Sequence, residues 1–218
     1  MVSQSVAKDP SRFVICYAGI FYPSKDPYTF FRALRTYLDA GSAEKRSWIS
    51  SHLRVQLIGS KDAATLRVVE ALRLEPIVRF VERVPHDLAV SMLKASDMAL
   101  IATGLGPQTR PGWLPSKLFE YLGCRVPILA VTPEGEAADI IRKTESGYVV
   151  STENHAAIGD ILDTAMNNKF EIEPKTGYRL TFSGVERYAE KNVMVNMIRI
   201  LQSVVETGNH KPITQMPH

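Results

Sequence analysis

The chain has 218 residues and a formal net charge of +3, with 26 basic and 23 acidic side chains. This length suits one domain with an appendage, and the mixed charges form no basic stripe that would follow a nucleic-acid backbone. The two cysteines lie in no CxxC or histidine-rich pattern, so the sequence indicates neither a disulfide framework nor a zinc site. The apolar runs are far shorter than the roughly 20 residues of a membrane helix. We therefore expect a cytoplasmic domain without a metal or a nucleic-acid partner.

Short apolar runs rich in β-branched residues alternate with segments of helical periodicity, which is typical of a parallel sheet covered on both faces. The predicted fold class is α/β, a Rossmann-like three-layer sandwich with a mostly parallel central sheet. The predicted strands are 13–18, 53–58, 77–81, 98–102, 126–131 and 147–150. The predicted helices are 27–38, 63–74, 86–95, a short one from 115, 136–143, 156–167 and 185–205.

The sequence divides into four predicted parts. These are a flexible segment over 1–12, the α/β domain over 13–167, a connection and helix over 168–206, and a disordered tail over 207–218. The connection is polar and loses periodicity up to residue 181. The last helix has an apolar side that must be buried, either on this domain or by crossing from it. The residues on that side are Met194, Met197, Ile198, Leu201, Val204 and Val205.

The most informative segment is 115–129, where a short helix with a polar face leads into a buried strand. Pro115 suits the first helical turn, and Ser116, Lys117 and Glu120 share one face because they lie three or four residues apart. Free amides at a helix start, a lysine beside them and a carboxylate one turn later could bind a diphosphate and a ribose diol. A surface pair of Lys117 and Glu120 on an ordinary helix explains the same residues.

Ligands of open parallel sheets bind beyond the carboxyl ends of the strands, and four polar loops here leave such ends. They are 19–25, 59–62, 82–85 and 103–117. Gly19 and Gly59 directly follow strands, so the backbone could approach a phosphate there or simply turn. Lys25 could reach that phosphate or remain a solvated loop lysine.

Several motifs that would indicate other chemistry are missing. The sequence has no GxGxxG opening a helix, no GxxxxGK[ST], no HExxH and no GxSxG. Arg110 is interpreted as an exposed loop arginine, and His86 as a helix-start residue rather than a catalytic base. A flavodoxin-like or receiver domain is disfavoured, because the loop after the first strand carries neither an acidic cluster nor a flavin loop.

In these residues the chain resembles the carboxyl-terminal, donor-binding domain of retaining glycosyltransferases of group 1, or family 4. Those enzymes pair two Rossmann-like domains in the GT-B fold. The resemblance covers 13–167 and is strongest in Leu-Pro-Ser-Lys-Leu-Phe-Glu-Tyr-Leu followed by Val-Pro-Ile-Leu-Ala-Val. That stretch is similar to the one holding the second glutamate of the family's EX7E motif, and Glu120 takes its position.

The resemblance implies a hexosyltransferase-type enzyme that binds a nucleotide-diphosphate sugar and needs no cofactor. It assigns Glu120 to the two ribose hydroxyls, because a carboxylate offers two acceptor oxygens. It makes Lys25 and Glu120 catalytic and places Arg83 and Val84 against the base. The positions that it assigns to the diphosphate are Gly19, Lys25, Ser116 and Lys117. Positive charge there would stabilise the leaving group electrostatically, without a metal.

Two positions depart from the family pattern. Gly112 stands eight residues before Glu120, where the first glutamate of EX7E is expected, and Ile20 occupies the usual arginine position. We interpret these departures as those of a subgroup variant. They affect sugar recognition more than nucleotide binding.

Enzymes of this class hold the acceptor on an amino-terminal domain of comparable size, for which this chain has no room. We therefore expect a fragment or truncated product, inactive or weak alone, of a cytoplasmic enzyme of polysaccharide biosynthesis. Any peripheral membrane association would run through the missing domain. Two alternatives stay open, a nucleotide-sugar epimerase-like protein and a non-catalytic nucleotide-binding or interaction module with the same fold.

Overall fold

The computed structural model describes residues 5–21, 28–103, 114–151, 154–172 and 180–207. The chain divides into two compact units, Met1–Ser183 and Gly184–His218. The strands described in the first unit are β1 (Phe13–Ala18), β2 (Leu53–Ile58), β3 (Val78–Val81), β4 (Met98–Ala102), β5 (Ile128–Val131) and β6 (Gly147–Val150). Its described helices are α1 (Thr29–Ala40), α2 (Ala43–His52), α3 (Ala63–Ala71), α4 (His86–Lys94), α5 (Ser116–Cys124), α6 (Glu136–Lys143) and α7 (His155–Phe170).

The six strands form one parallel sheet in the order β3-β2-β1-β4-β5-β6. β1 pairs with β2 along its whole length, from Phe13 opposite Leu53 to Ala18 opposite Ile58, and its other edge pairs with β4. The strand order therefore reverses between β1 and β4, and the connections from these two strands lead away in opposite directions. Such a reversal leaves a crevice at the carboxyl ends of the strands. This topology confirms the predicted Rossmann-like α/β class.

Apolar side chains cover both faces of the sheet. Alternate residues of β1, including Ile15 and Tyr17, enter a core with α1 and α7, where Phe30 and Phe31 are fully buried. Because successive side chains of a strand point to opposite faces, Cys16 faces the other side, and it too is fully buried. Three residues of α5 are also buried, Leu118, Tyr121 and Leu122.

A largely buried ion pair joins α7 to the starts of β1 and β4. Lys169 Nζ donates to Asp97 Oδ2 at 2.7 Å and to the carbonyl oxygens of Asp9 and Arg12 at 2.8 and 2.6 Å. Asp97 Oδ2 also accepts a hydrogen bond from the Val14 amide at 2.8 Å. The side chains of Lys169 and Asp97 are only 17% and 13% exposed. The ammonium thus has three acceptors, and the pair fixes residues on three separate segments.

The second unit contains a 3-10 helix, Val185–Tyr188, followed by α8 (Glu190–Thr207). Apolar side chains on α8 are exposed, among them Met194, Met197, Ile198 and Leu201 from the predicted apolar side. Within the described parts of the chain, no helix combines the length and the apolar character needed to cross a bilayer.

Several helices differ from the predictions. Helix α3 ends at Ala71 rather than at 74, and the segment predicted as one helix from 185 is a 3-10 helix followed by α8 from Glu190. Two further differences concern α2 and α7. Helix α2 was not predicted, because Ile49 is its one buried residue and an apolar stripe is missing. It begins at a polar cap, where the Ser42 side chain accepts a hydrogen bond from the Lys45 amide. Helix α7 continues to Phe170, three residues beyond the predicted end at 167.

Candidate functional site

A cleft of about 380 Å³ opens at the carboxyl ends of β1 and β2. Its walls come from the ends of β1 and β2, from the residues that follow β1, β2 and β3, and from the amino-terminal halves of α4 and α5. Five residues predicted for the site line this cleft together: Gly19, Arg83, Val84, Lys117 and Glu120. The structure thus places residues from three separate segments around one space.

Gly19 forms the floor beside β1, in a backbone conformation that favours glycine. Its φ is +133°, and its amide donates to the Ile58 carbonyl at 2.9 Å. The Ser60 hydroxyl donates to the Gly19 carbonyl. A Cβ added at Gly19 would lie 2.5 Å from Lys117 Nζ. Glycine is therefore needed both for the turn and for the approach of the lysine.

The Lys117 side chain extends from the first turn of α5 to the Gly19 backbone. Its Nζ also lies 5.2 Å from the centre of the Tyr17 ring. Among the residues that the structure describes, the Lys117 side chain forms no ion pair or hydrogen bond. Burial lowers the pKa of Lys117, and the charge of Glu120 opposes that shift. A half-buried cation that faces a cleft and makes no direct ion pair with the described residues is suited to bind an anion.

Glu120 lies one turn further along α5, with its side chain 31% exposed and its Oε1 3.6 Å from His86 Nδ1. His86 is the first residue of α4, as the sequence interpretation had it, but it also lines the cleft. Its contact with Glu120 was not predicted. The sequence feature that could have indicated this contact is the position of His86 just after one of the four polar loops at the carboxyl edge.

Ser116, which was also predicted for the site, and Ile20, which departs from the family pattern, differ in their position relative to the cleft. Ser116 is the exposed first residue of α5 and does not line the cleft. The first backbone hydrogen bond of α5 runs from the Leu118 amide to the Pro115 carbonyl at 2.9 Å, so the Ser116 and Lys117 amides have no partner within the helix. Ile20 lines the cleft and is 53% exposed.

Three residues discussed from the sequence, Lys25, Arg110 and Gly112, lie outside the described residues. In the described parts of the chain, no group of three or more His, Cys, Asp or Glu side chains could hold a metal ion.

Several solved structures share this fold. Sucrose-phosphate synthase from Thermosynechococcus elongatus matches with a TM-score of 0.64 and 15% identity, over 91% of this chain and 47% of its own. Anabaena Alr3699/HepE in complex with UDP-glucose matches with a TM-score of 0.58 and 16% identity, over 89% of this chain and 49% of its own. A mutant of S. aureus TarM in complex with Fondaparinux, alpha-GlcNAc-glycerol and UDP matches with a TM-score of 0.62 and 12% identity, over 90% and 37%.

The chain thus spans about half the length, or less, of these proteins. A comparison with curated protein sequences gives no match. The model of the family described as glycosyl transferases group 1 matches residues 2–179, which is most of the chain. By this match the chain belongs to the group 1 glycosyl transferase family.

Proposed function

We propose that the cleft binds a nucleoside-diphosphate sugar and that the chain supplies the donor half of a retaining hexosyl transfer, in which another domain holds the acceptor. The observation that carries this proposal is the placement of Lys117 and Glu120. They lie one turn apart on α5 and line one cleft beside the Gly19 backbone, at the edge where nucleotides bind open α/β sheets. The UDP and UDP-glucose complexes of similar folds support a uridine nucleotide as the donor.

Each wall of the cleft offers chemistry for one part of the donor. The Lys117 ammonium and the amides at the start of α5, which have no partner within the helix, match a diphosphate. Glu120 offers two acceptor oxygens to the two ribose hydroxyls. Arg83 and Val84, which follow β3, are then left for the base. This arrangement keeps the roles assigned by the family resemblance.

In the proposed reaction, the bond between the sugar and the diphosphate breaks and negative charge develops on the leaving group. Lys117 and the start of α5 would stabilise this charge, because a cation and the amides of a helix start lower the energy of an anion that forms beside them. Lys25 would add a second cation. The acceptor attacks from the face of the leaving group, and the departing phosphate takes the acceptor's proton. The configuration of the sugar is then retained without a covalent enzyme intermediate.

A second candidate function is nucleotide binding without transfer. Ile20 favours it, because this exposed apolar side chain lines the cleft where the family resemblance places an arginine. A chain with one phosphate ligand fewer would still bind a nucleotide through Lys117 and Glu120. The two functions share the ligand and differ in whether sugar is transferred once an acceptor domain is supplied.

Replacing Glu120 with glutamine should weaken nucleotide binding by about 1 to 3 kcal/mol, the effect of losing hydrogen bonds to a charged group. The measurement is calorimetric titration of the purified chain with UDP, GDP and ADP, which also identifies the base. Repeating it with the 2′-deoxy form of the bound nucleotide tests the assignment to ribose. The loss caused by Glu120→Gln should shrink when one of the two hydroxyls is already missing.

The matched control is Glu70→Gln, because Glu70 is exposed on α3 and does not line the cleft. This variant should bind the nucleotide like the unchanged chain. The proposal would be wrong if none of the three nucleotides binds, or if Glu120→Gln and Glu70→Gln have equal effects.

Replacing Lys117 with methionine should weaken UDP binding without lowering stability. The pKa of Lys117 is held below its ordinary 10.5 by burial, so the unfolded chain binds this proton more tightly and the charged side chain costs stability at neutral pH. That cost disappears only as the pH rises through the lowered pKa towards 10.5. Urea unfolding at pH 7 should therefore show an unchanged or higher free energy of unfolding for Lys117→Met.

The binding arm of this test compares UDP with UMP. The preference of the chain for UDP should fall in Lys117→Met, since the second phosphate loses its cation. Lys143→Met serves as the control, because Lys143 is exposed at the end of α6 and outside the cleft. A marked loss of stability in Lys117→Met with an unchanged preference for UDP would make Lys117 a structural residue.

A further inference from the structure

One buried tyrosine connects the two parts of the cleft that the proposed function assigns to the diphosphate, the Gly19 backbone and the Lys117 ammonium. Tyr17 is the penultimate residue of β1, and its side chain is only 6% exposed. Its ring presents a face to Lys117 Nζ at 5.2 Å from the ring centre. Tyr17 itself does not line the cleft.

The orientation of this ring is fixed by the loop and by the core. The Tyr17 hydroxyl donates to the Ile20 carbonyl at 3.0 Å, so the ring is tied to the loop that follows Gly19. Its face stacks on Phe21, with 4.1 Å between ring centres and 21° between ring planes. Phe21 in turn meets Phe31 of α1 edge to face at 5.9 Å. The ring, the loop and the core are therefore set together.

An aromatic face suits this place better than a carboxylate would. The negative face of a ring attracts an ammonium without using up its N–H donors, whereas a carboxylate would pair with the lysine and neutralise it. A lysine held by a ring keeps its charge and its donors for a phosphate. An aliphatic residue at position 17 would fill the same core but would not attract the cation.

We propose that Tyr17 is a positioning residue that holds the Lys117 ammonium against Gly19, ready for the diphosphate of the nucleotide. This inference rests on the proposed function for its ligand, and on the described contacts for the placement of the lysine. Tyr17 acts through Lys117 and touches neither the nucleotide nor the sugar. Its hydroxyl bond to the Ile20 carbonyl fixes the ring relative to the backbone just after Gly19.

The first test uses the full chain without ligand. Ring currents from Tyr17 should shift the NMR signals of the Lys117 ε-methylene group, which is identified as the signal lost in Lys117→Met. Tyr17→Phe should keep this shift because the ring remains, and Tyr17→Leu should abolish it. In Tyr17→Leu the pKa of Lys117 should also fall further, since the ring stabilises the charged form. An unchanged shift and pKa in Tyr17→Leu would overturn the proposal.

The second test measures UDP affinity by calorimetry. Tyr17→Leu should weaken binding by about 3- to 30-fold, the range that a cation–π contact covers, and Tyr17→Phe by less. In the Lys117→Met background the same change to leucine should cost nothing further, because the cation it positions is gone. An equal loss in both backgrounds would indicate a purely structural tyrosine and overturn the proposal.

If Tyr17→Leu does not fold, a ring-fluorinated phenylalanine at position 17 replaces it. Fluorination keeps the shape of the ring but weakens its negative face, so UDP affinity should fall relative to Tyr17→Phe, and equal affinities would count against the proposal.

If the unchanged chain binds no UDP, the proposed function and the ligand assigned to Lys117 both fail. The NMR measurement still decides separately whether Tyr17 places the lysine.

Discussion

Replacing Asp97 with alanine is expected to lower the free energy of unfolding by about 3 to 5 kcal/mol, the usual cost of breaking a buried ion pair by removing one partner. The substitution leaves the Lys169 ammonium, whose side chain is 17% exposed, with carbonyl oxygens alone as acceptors. It also removes the acceptor of the Val14 amide at the start of β1. Urea unfolding followed by circular dichroism measures the change.

The double variant Asp97→Ala with Lys169→Met should be more stable than Asp97→Ala alone, because no uncompensated charge then remains in the interior. The exposed pair of Lys61 and Glu82 provides the control, with side chains 49% and 77% exposed. Glu82→Ala should change stability by less than about 1 kcal/mol. A similarly small effect of Asp97→Ala would show that the buried pair does not hold α7 and the sheet together.

Replacing Gly147 with alanine is expected to cost about 3 kcal/mol or more, at the upper end of overpacking effects. Gly147 opens β6 opposite Ile128, which opens β5. A Cβ at this glycine would lie 2.0 Å from the Ile128 carbonyl oxygen and 2.7 Å from its carbonyl carbon. These are backbone atoms of a paired strand, so they cannot move aside as a flexible side chain can. Relief requires β6 to separate from β5.

Gly123→Ala is the matched control for this prediction. Gly123 lies within α5, and a Cβ added there would meet no described heavy atom within 4 Å. Alanine should raise stability by up to about 1 kcal/mol, since it favours the helix more than glycine does. Thermal and urea unfolding of the two variants should thus shift in opposite directions. Equal shifts would mean that the close approach at Gly147 has no energetic consequence.

The strands could be predicted from the sequence almost completely, whereas their order in the sheet was not predicted. The bounds of β1, β2, β4 and β6 agree with the predicted ranges, because each of these strands is a short run of residues bounded by turn residues or polar loops. β3 and β5 begin one and two residues later than predicted. In both cases apolar residues continue outside the paired segment, and composition cannot show where pairing starts.

Helix α2 shows what periodicity cannot detect. Its one buried residue is Ile49, and Trp48, which also packs against the core, is the neighbouring residue, so the sequence has no helical repeat from which to recognise a helix. The remaining signal was the Ser42 cap, and a lone serine before a polar stretch is also typical of a loop. The exposed apolar residues of α8 show a different limitation. An apolar stripe predicts a helix, but it does not identify the surface that the stripe packs against.

The sequence predicted the part of the candidate site that depends on residues close together in the chain. Lys117 and Glu120 share a helical face by their separation in sequence, and both line the cleft. The contact of Lys117 with Gly19 and Tyr17, and that of Glu120 with His86, join segments far apart in the chain. Such contacts depend on how the strands are ordered. Tyr17 in particular fits a buried strand position, and nothing around it in the sequence indicates a lysine above its ring.

The lining of the cleft has a thermodynamic consequence. Gly19, Arg83 and Lys117 belong to segments that meet only after β1, β3 and α5 have taken their places around the sheet. The unfolded chain therefore has no partial version of this cleft, and a ligand bound there stabilises the native state alone. At 100 times its dissociation constant, a ligand of this kind adds about 2.7 kcal/mol to the unfolding free energy. The unfolding free energy of the chain should thus rise with the concentration of any ligand that binds this cleft.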